Sequence, residues 1–213
     1  MKLSRQDIID GLTTELADVR PFAGGVSEQQ FFAYNPELVN RFRFPQDLVL
    51  AAVLVAIVQR ETDFHVFLTV RSSDVPDHAG DVVFPGGKLK ADETVVDAAL
   101  REAREEVGLD RESVEVAGFL ASQPIATGYL IHPVLAFVHP EAKLVPDERE
   151  VAEIFEVPLS FVFDRENHHR HLGEFGGGPR SFPAVTYAGR LMWGTTVHVL
   201  LDLSERVGRA ARP

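Results

Sequence analysis

Between Gly87 and Leu109 the chain reads GKLKADETVVDAALREAREEVGL, and no other stretch restricts its fold so much. At about 100° per residue, Val95, Val96, Ala99, Leu100, Ala103 and Val107 fall within one apolar arc of roughly 140°. That stripe predicts a helix from about Glu93 to Val107, laid on a core and stopped by Gly108 at the position after its C-cap. Glu102 and Glu106 stand one turn apart, about 40° from each other around the axis, with Glu105 on their outer flank. Three carboxylates thus converge at the edge of the buried stripe. Like charges at this spacing destabilise an isolated helix, so something must offset them. Arg101 can do so through a bidentate pair, and a hard, oxygen-seeking cation such as Mg²⁺ would do more. Acidic runs on helices are usually solvated faces. The preceding Gly86-Gly87 pair changes the weighing, because a backbone without Cβ atoms lets amides and carbonyls approach a phosphate or metal closely.

Around this helix the pattern is mixed. Residues 4 to 18 read as a helix with Ser4 as N-cap, and residues 20 to 46 as irregular. Leu48 to Gln59 and Phe64 to Arg71 read as strands joined by a polar turn. A loop over residues 72 to 91 ends in FPGG, Phe84 to Gly87. Further strands are predicted near Val114 to Ala121, Ile131 to Val138 and Phe182 to Tyr187. A short helix is predicted over Asp147 to Phe155 and a C-terminal one from about Thr195 to Arg209. The stretch containing His168, His169 and His171 reads as a polar loop, since no partnering carboxylate pattern accompanies the histidines. Strands and helices do not alternate regularly, so the expected class is α+β. The expected organisation is one domain over residues 1–213, with an N-terminal helical extension to about residue 46. The N-terminal helix reads either as a cap on the fold or as the contact of a homodimer.

Composition removes several function classes. The 213 residues include no cysteine, which excludes disulfides, thiolate metal sites and cysteine nucleophiles. The formal net charge of −11 argues against a nucleic-acid partner. An anionic substrate would then require bound divalent cations to invert the local charge. The first residues lack the apolar core of a secretory signal, and Leu48 to Val58 is too short to span a bilayer. No membrane association is expected, and the expected location is cytoplasmic.

Gly87, Glu93, Arg101, Glu102, Ala103, Glu105, Glu106, Gly108 and Leu109 together match the Nudix box, and the chain is identified as resembling the Nudix hydrolase family. The only softening is Ala103, where a bulkier aliphatic is often found. The resemblance implies an α/β/α sandwich around a mixed β-sheet and hydrolysis of a diphosphate bond in a nucleoside-diphosphate-linked small molecule. It implies Mg²⁺ or Mn²⁺ held by Glu102, Glu105 and Glu106 with a backbone carbonyl of the Gly86-Gly87 turn, here assigned to Gly87. Arg101 would orient the glutamates, with Glu93 bracing Arg101. Such ions would polarise the diphosphate and lower the pKa of a water nucleophile. Glu102 and Glu105 are the candidate bases within the box. Glu150 resembles an acidic position that approaches the metals in many family members.

Upstream, Leu68, Thr69, Arg71, Ser72, Gly80 and Phe84 to Gly87 resemble the signature of the coenzyme A pyrophosphatase subfamily. ATGYLIHPVLAFV, EVAEIFEVPLS and LMWGTT agree with it further along the chain. This implies coenzyme A or acyl-coenzyme A as substrate, cleaved to 3′,5′-ADP and a 4′-phosphopantetheine product, with Arg71, Ser72, Gly80 and Gly86 on the substrate side. Pro76 stands where the subfamily pattern has a second arginine, and proline cannot grip a phosphate. An ADP-ribose or NADH pyrophosphatase is therefore the alternative, and a non-catalytic ligand-binding module of the same fold is a third. Trp193, Phe182 and Tyr129 read either as core residues or as surfaces on which an adenine stacks.

Overall fold

The computed structural model describes residues 3–12, 29, 48–74, 79–174 and 178–210. Most of the expected N-terminal helix and extension, together with Pro76 and His78, lies outside the described residues. What is described of the N terminus is α1 (Arg5–Asp10), which Ser4 caps in a reciprocal box with Asp7.

The architecture rests on β1 (Val49–Gln59), an 11-residue run too apolar to be half-solvated. β1 pairs antiparallel with β2 (Phe64–Arg71) and parallel with β7 (Tyr129–Val138). β3 (Val82–Val83) and β8 (Val151–Pro158) pair with β2, and β4 (Gly86–Lys88) pairs with β1. β5 (Val114–Phe119) and β6 (Gln123–Ile125) pair with β7. The result is an eight-stranded mixed sheet.

Alternating residues of β1 feed two cores. Ala52, Leu54, Ala56 and Val58 pack beneath α2 (Val95–Val107), with its Val95, Ala98, Ala99, Ala103 and Val107. Val55 and Ile57 point the other way, into a core completed by Ile8 of α1, by α3 (Leu159–Phe163) and by α4 (Gly194–Ala210). Helices thus cover both faces, which is the sandwich expected. A second antiparallel sheet is built from β9 (His168–Glu174), β10 (Pro179–Tyr187) and β11 (Arg190–Trp193). Among the described residues no helix is long and apolar enough to cross a membrane.

Three expectations are corrected. The stretch from 72 to 91 is not all loop, because β3 and β4 form in it by pairing with β2 and β1. Asp147 to Phe155 is not a helix: a turn closed by Glu150 N–H to the Asp147 carbonyl leads into β8. Val151, Ile154 and Phe155 have helical spacing, but the open edge of β2 offers a full ladder of backbone partners from Arg71 to His65. Pairing with that edge outweighs the local pattern. The histidine stretch is likewise a strand and not a loop, because β10 pairs with it in register from Val185↔His168 to Pro179↔Glu174. Smaller differences lie at the ends: α2 begins at Val95, after a reciprocal cap between Thr94 and Asp97, and β10 begins at Pro179.

Candidate active site

β4 lies flat against β1, with Val53 opposite Gly86 and Ala52 opposite Gly87. A Cβ on Gly86 would come within 2.7 Å of Val53 Cα, so only glycine permits this approach. α2 crosses directly over the pair and ends in a left-handed Gly108 at φ 64°. Gly86 N–H donates to Glu106 Oε2 at 3.1 Å, and a Cβ on Gly87 would stand 2.5 Å from Glu102 Cδ. The glycine pair therefore forms a floor on which two of the three box glutamates rest.

The three carboxylates differ in environment. Glu106 is 6% exposed, among the apolar residues of the helix stripe, while the side chain of Glu105 is 52% exposed. Burial first, and then the neighbouring charges of Glu102 and Glu150, push Glu106 up to about 8 against the pull of the Gly86 N–H and of Arg71. Arg101 holds the other two: its Nη1 donates to Glu102 Oε1 at 2.7 Å and to Glu105 Oε2 at 2.9 Å. Its Nε and Nη2 grip Glu93 at 2.6 and 3.0 Å, and Nη2 also reaches the Lys88 carbonyl at 3.1 Å. The Glu93 carboxylate also accepts from Lys90 N–H at 2.8 Å. Arg101 and that amide hold Glu93 down at about 2.

The loops complete the surroundings. Ser72 N–H donates to the Glu150 carbonyl at 2.8 Å, and Arg71 pairs with Val151. Through these contacts Arg71 and Glu150 come close enough for their charges to act on Glu106. Gly80 N–H donates to the Arg71 carbonyl at 3.1 Å, with φ 77°. Ser72 is buried, and its hydroxyl accepts from Asp74 N–H at 3.3 Å. Lys90 reaches Glu105 at 3.5 Å, whereas Lys88 sits 5.5 Å over the Tyr129 ring. Asp81, which carried no motif signal, accepts from Trp193 Nε1 at 3.2 Å.

Among the described residues no three acidic or imidazole side chains close into a ready cation cage. Glu102 and Glu105 are turned onto Arg101 instead. The donor chemistry nevertheless fits a hard divalent cation: oxygen ligands only, and a buried glutamate whose ionisation burial and two other carboxylates oppose.

Comparison with known proteins agrees with this layout. The NUDIX domain model matches residues 49–175. The chain belongs to the Nudix family, whose members generally use divalent metals. It is 36% identical over 175 residues to the uncharacterized Nudix hydrolase NudL of Citrobacter koseri, covering 82% of this chain and 87% of that one. The NudL of Pectobacterium atrosepticum is 35% identical over 158 residues, 74% of this chain and 82% of its own. The MutT protein of Methanosarcina mazei is similar in fold, with a TM-score of 0.50 at 17% identity over 80% of this chain and all of that one. The family expected from the box, and the α+β class expected from the order of strands and helices, are thereby borne out.

Proposed function

We propose that this Nudix hydrolase cleaves the diphosphate of coenzyme A or an acyl-coenzyme A, releasing 3′,5′-ADP and a 4′-phosphopantetheine product. The observation that carries the substrate choice is the run from Leu68 to Gly87, with Leu68, Thr69, Arg71, Ser72, Gly80 and the FPGG turn at the subfamily's spacing. The contacts from Arg71 and Ser72 to the Glu150 strand, and the effect of Arg71 on Glu106, support a substrate-side role for that run.

Glu102, Glu105 and Glu106, with the Gly87 carbonyl, would hold Mg²⁺ or Mn²⁺. Such ions, when bound, polarise the diphosphate and acidify a water. The chain's own groups do the rest. Arg101 holds Glu102 and Glu105 in one orientation, and Glu93 fixes Arg101. Glu102, Glu105 or Glu150 takes the proton of the attacking water. Arg71 offsets charge on the substrate phosphates.

Pro76 favours a second reading, in which the same site accepts ADP-ribose or NADH. The test is incubation with coenzyme A, ADP-ribose and NADH, each with Mg²⁺, Mn²⁺ or EDTA, with products identified by mass. Metal-dependent 3′,5′-ADP from coenzyme A supports the first reading. Cleavage of the other two alone replaces it with the second.

A further inference from the structure

β10, β11 and α4 lie wholly beyond residue 175, where the match to the family model ends. The second sheet has two unlike faces. Val185 and Met192 enter the core beside α4. The opposite face carries His169, His171, Phe182 and Trp193, since Phe182 pairs with His171 and Trp193 with Ala184, which pairs with His169. Phe182 meets Trp193 edge-on at 5.3 Å, and His171 tilts against it at 5.5 Å. Gly173 adds no side chain there, and a Cβ on it would sit 3.5 Å from both the Phe182 and the Trp193 rings. All three ring residues are only partly buried and belong to neither core cluster.

This face is tied to the substrate side of the carboxylates. Trp193 Nε1–H donates to Asp81, whose backbone carbonyl accepts from Arg71 N–H at 3.0 Å. Asp81 therefore links the aromatic cluster to Arg71 through one side-chain and one backbone hydrogen bond. A partly exposed indole, flanked by a phenyl and an imidazole and coupled to a candidate phosphate-side loop, suits a planar conjugated ring.

The geometry points to this face as the stacking subsite for the nucleobase of the substrate, with Trp193 as the platform. The inference rests on the reading that the substrate carries a nucleoside, and it leaves open which one. Stacking tolerates any base because every base presents a π face.

Trp193 is the chain's one tryptophan, so its fluorescence reports on this face alone. The full chain in EDTA is titrated with AMP and, separately, with inorganic pyrophosphate. Saturable quenching by AMP and none by pyrophosphate is expected. No quenching by AMP, or equal quenching by pyrophosphate, overturns the proposal. These titrations need no turnover, so a chain that binds AMP but leaves coenzyme A intact loses only the substrate reading. Trp193→Leu and Trp193→Phe are then assayed on whichever diphosphate is cleaved. W193L is expected to raise KM about tenfold to a hundredfold with kcat held. W193F keeps a ring without the N–H and is expected to stay within a few-fold of wild type. Equal impairment of both variants would mean that the indole only anchors Asp81, and the stacking role would fall.

Discussion

The Cβ that Gly87 lacks would stand 2.5 Å from Glu102 Cδ, so the glutamate occupies the space a side chain would need. Its neighbour Gly86 is crowded by backbone instead, at 2.7 Å from Val53 Cα. The two glycines therefore differ in what they protect.

Gly87→Ala is expected to fold with little change in Tm, because a carboxylate at the end of a flexible side chain can move aside. Displacing Glu102 by about 1 Å is expected to lower kcat by about a hundredfold. Gly86→Ala meets backbone that cannot yield and is expected to lose about 1–3 kcal/mol of stability. Thermal melts beside initial rates on both variants check the contrast.

Glu105 is half-exposed and rests on Arg101, so Glu105→Gln should leave stability within about 0.5 kcal/mol of wild type. If it serves as the base, kcat should fall by about 10²–10⁴. Running Glu150→Gln in parallel shows which carboxylate carries that loss.

Glu106 is expected to make the metal-free protein sensitive to pH. Its folded-state value of about 8 lies above the ordinary glutamate range, chiefly through burial, so the folded state binds the proton more tightly than the unfolded chain does. Its contribution is fully present below the ordinary range and is lost as pH rises toward about 8. In EDTA, Tm should fall between pH 5 and pH 8.5 more in wild type than in Glu106→Gln. Adding Mg²⁺ at the higher pH should recover it in wild type only.

Glu93 is bonded to Arg101 and to Lys90 N–H, and touches none of Glu102, Glu105 and Glu106 in the described contacts. Glu93→Gln should raise the metal concentration for half-maximal rate about tenfold while changing KM for substrate little. A rate-against-metal curve at saturating substrate is the measurement. The opposite split, with KM rising and metal dependence fixed, would place Glu93 on the substrate side.

Local pattern was enough for α2. Its stripe, its glycine stop and the spacing of Arg101 and the glutamates all arise within two or three turns, where residue order fixes geometry. The same holds for β1 and β2, whose apolar runs are long and bounded by turn residues. That locality is why the box at Gly87 to Leu109 could be matched to the family, and the sandwich followed as what the resemblance implied. Strand partners are not local. Val151 to Phe155 has helical spacing, and only the free edge of β2 makes it a strand; the histidines of β9 become a strand only because β10 lies beside them. Three glutamates at the edge of a stripe were legible, but which of them is buried depends on where β4 lies under α2, and that choice fell on Glu106. Trp193 and Asp81 stand 112 residues apart, and nothing in either segment announces the other. Local pattern determined α2, β1 and β2 and placed the carboxylates on one helix; pairing of distant edges, driven by the need to satisfy backbone groups and bury both faces of the sheet, decided β8, β9 and the environment of each site residue.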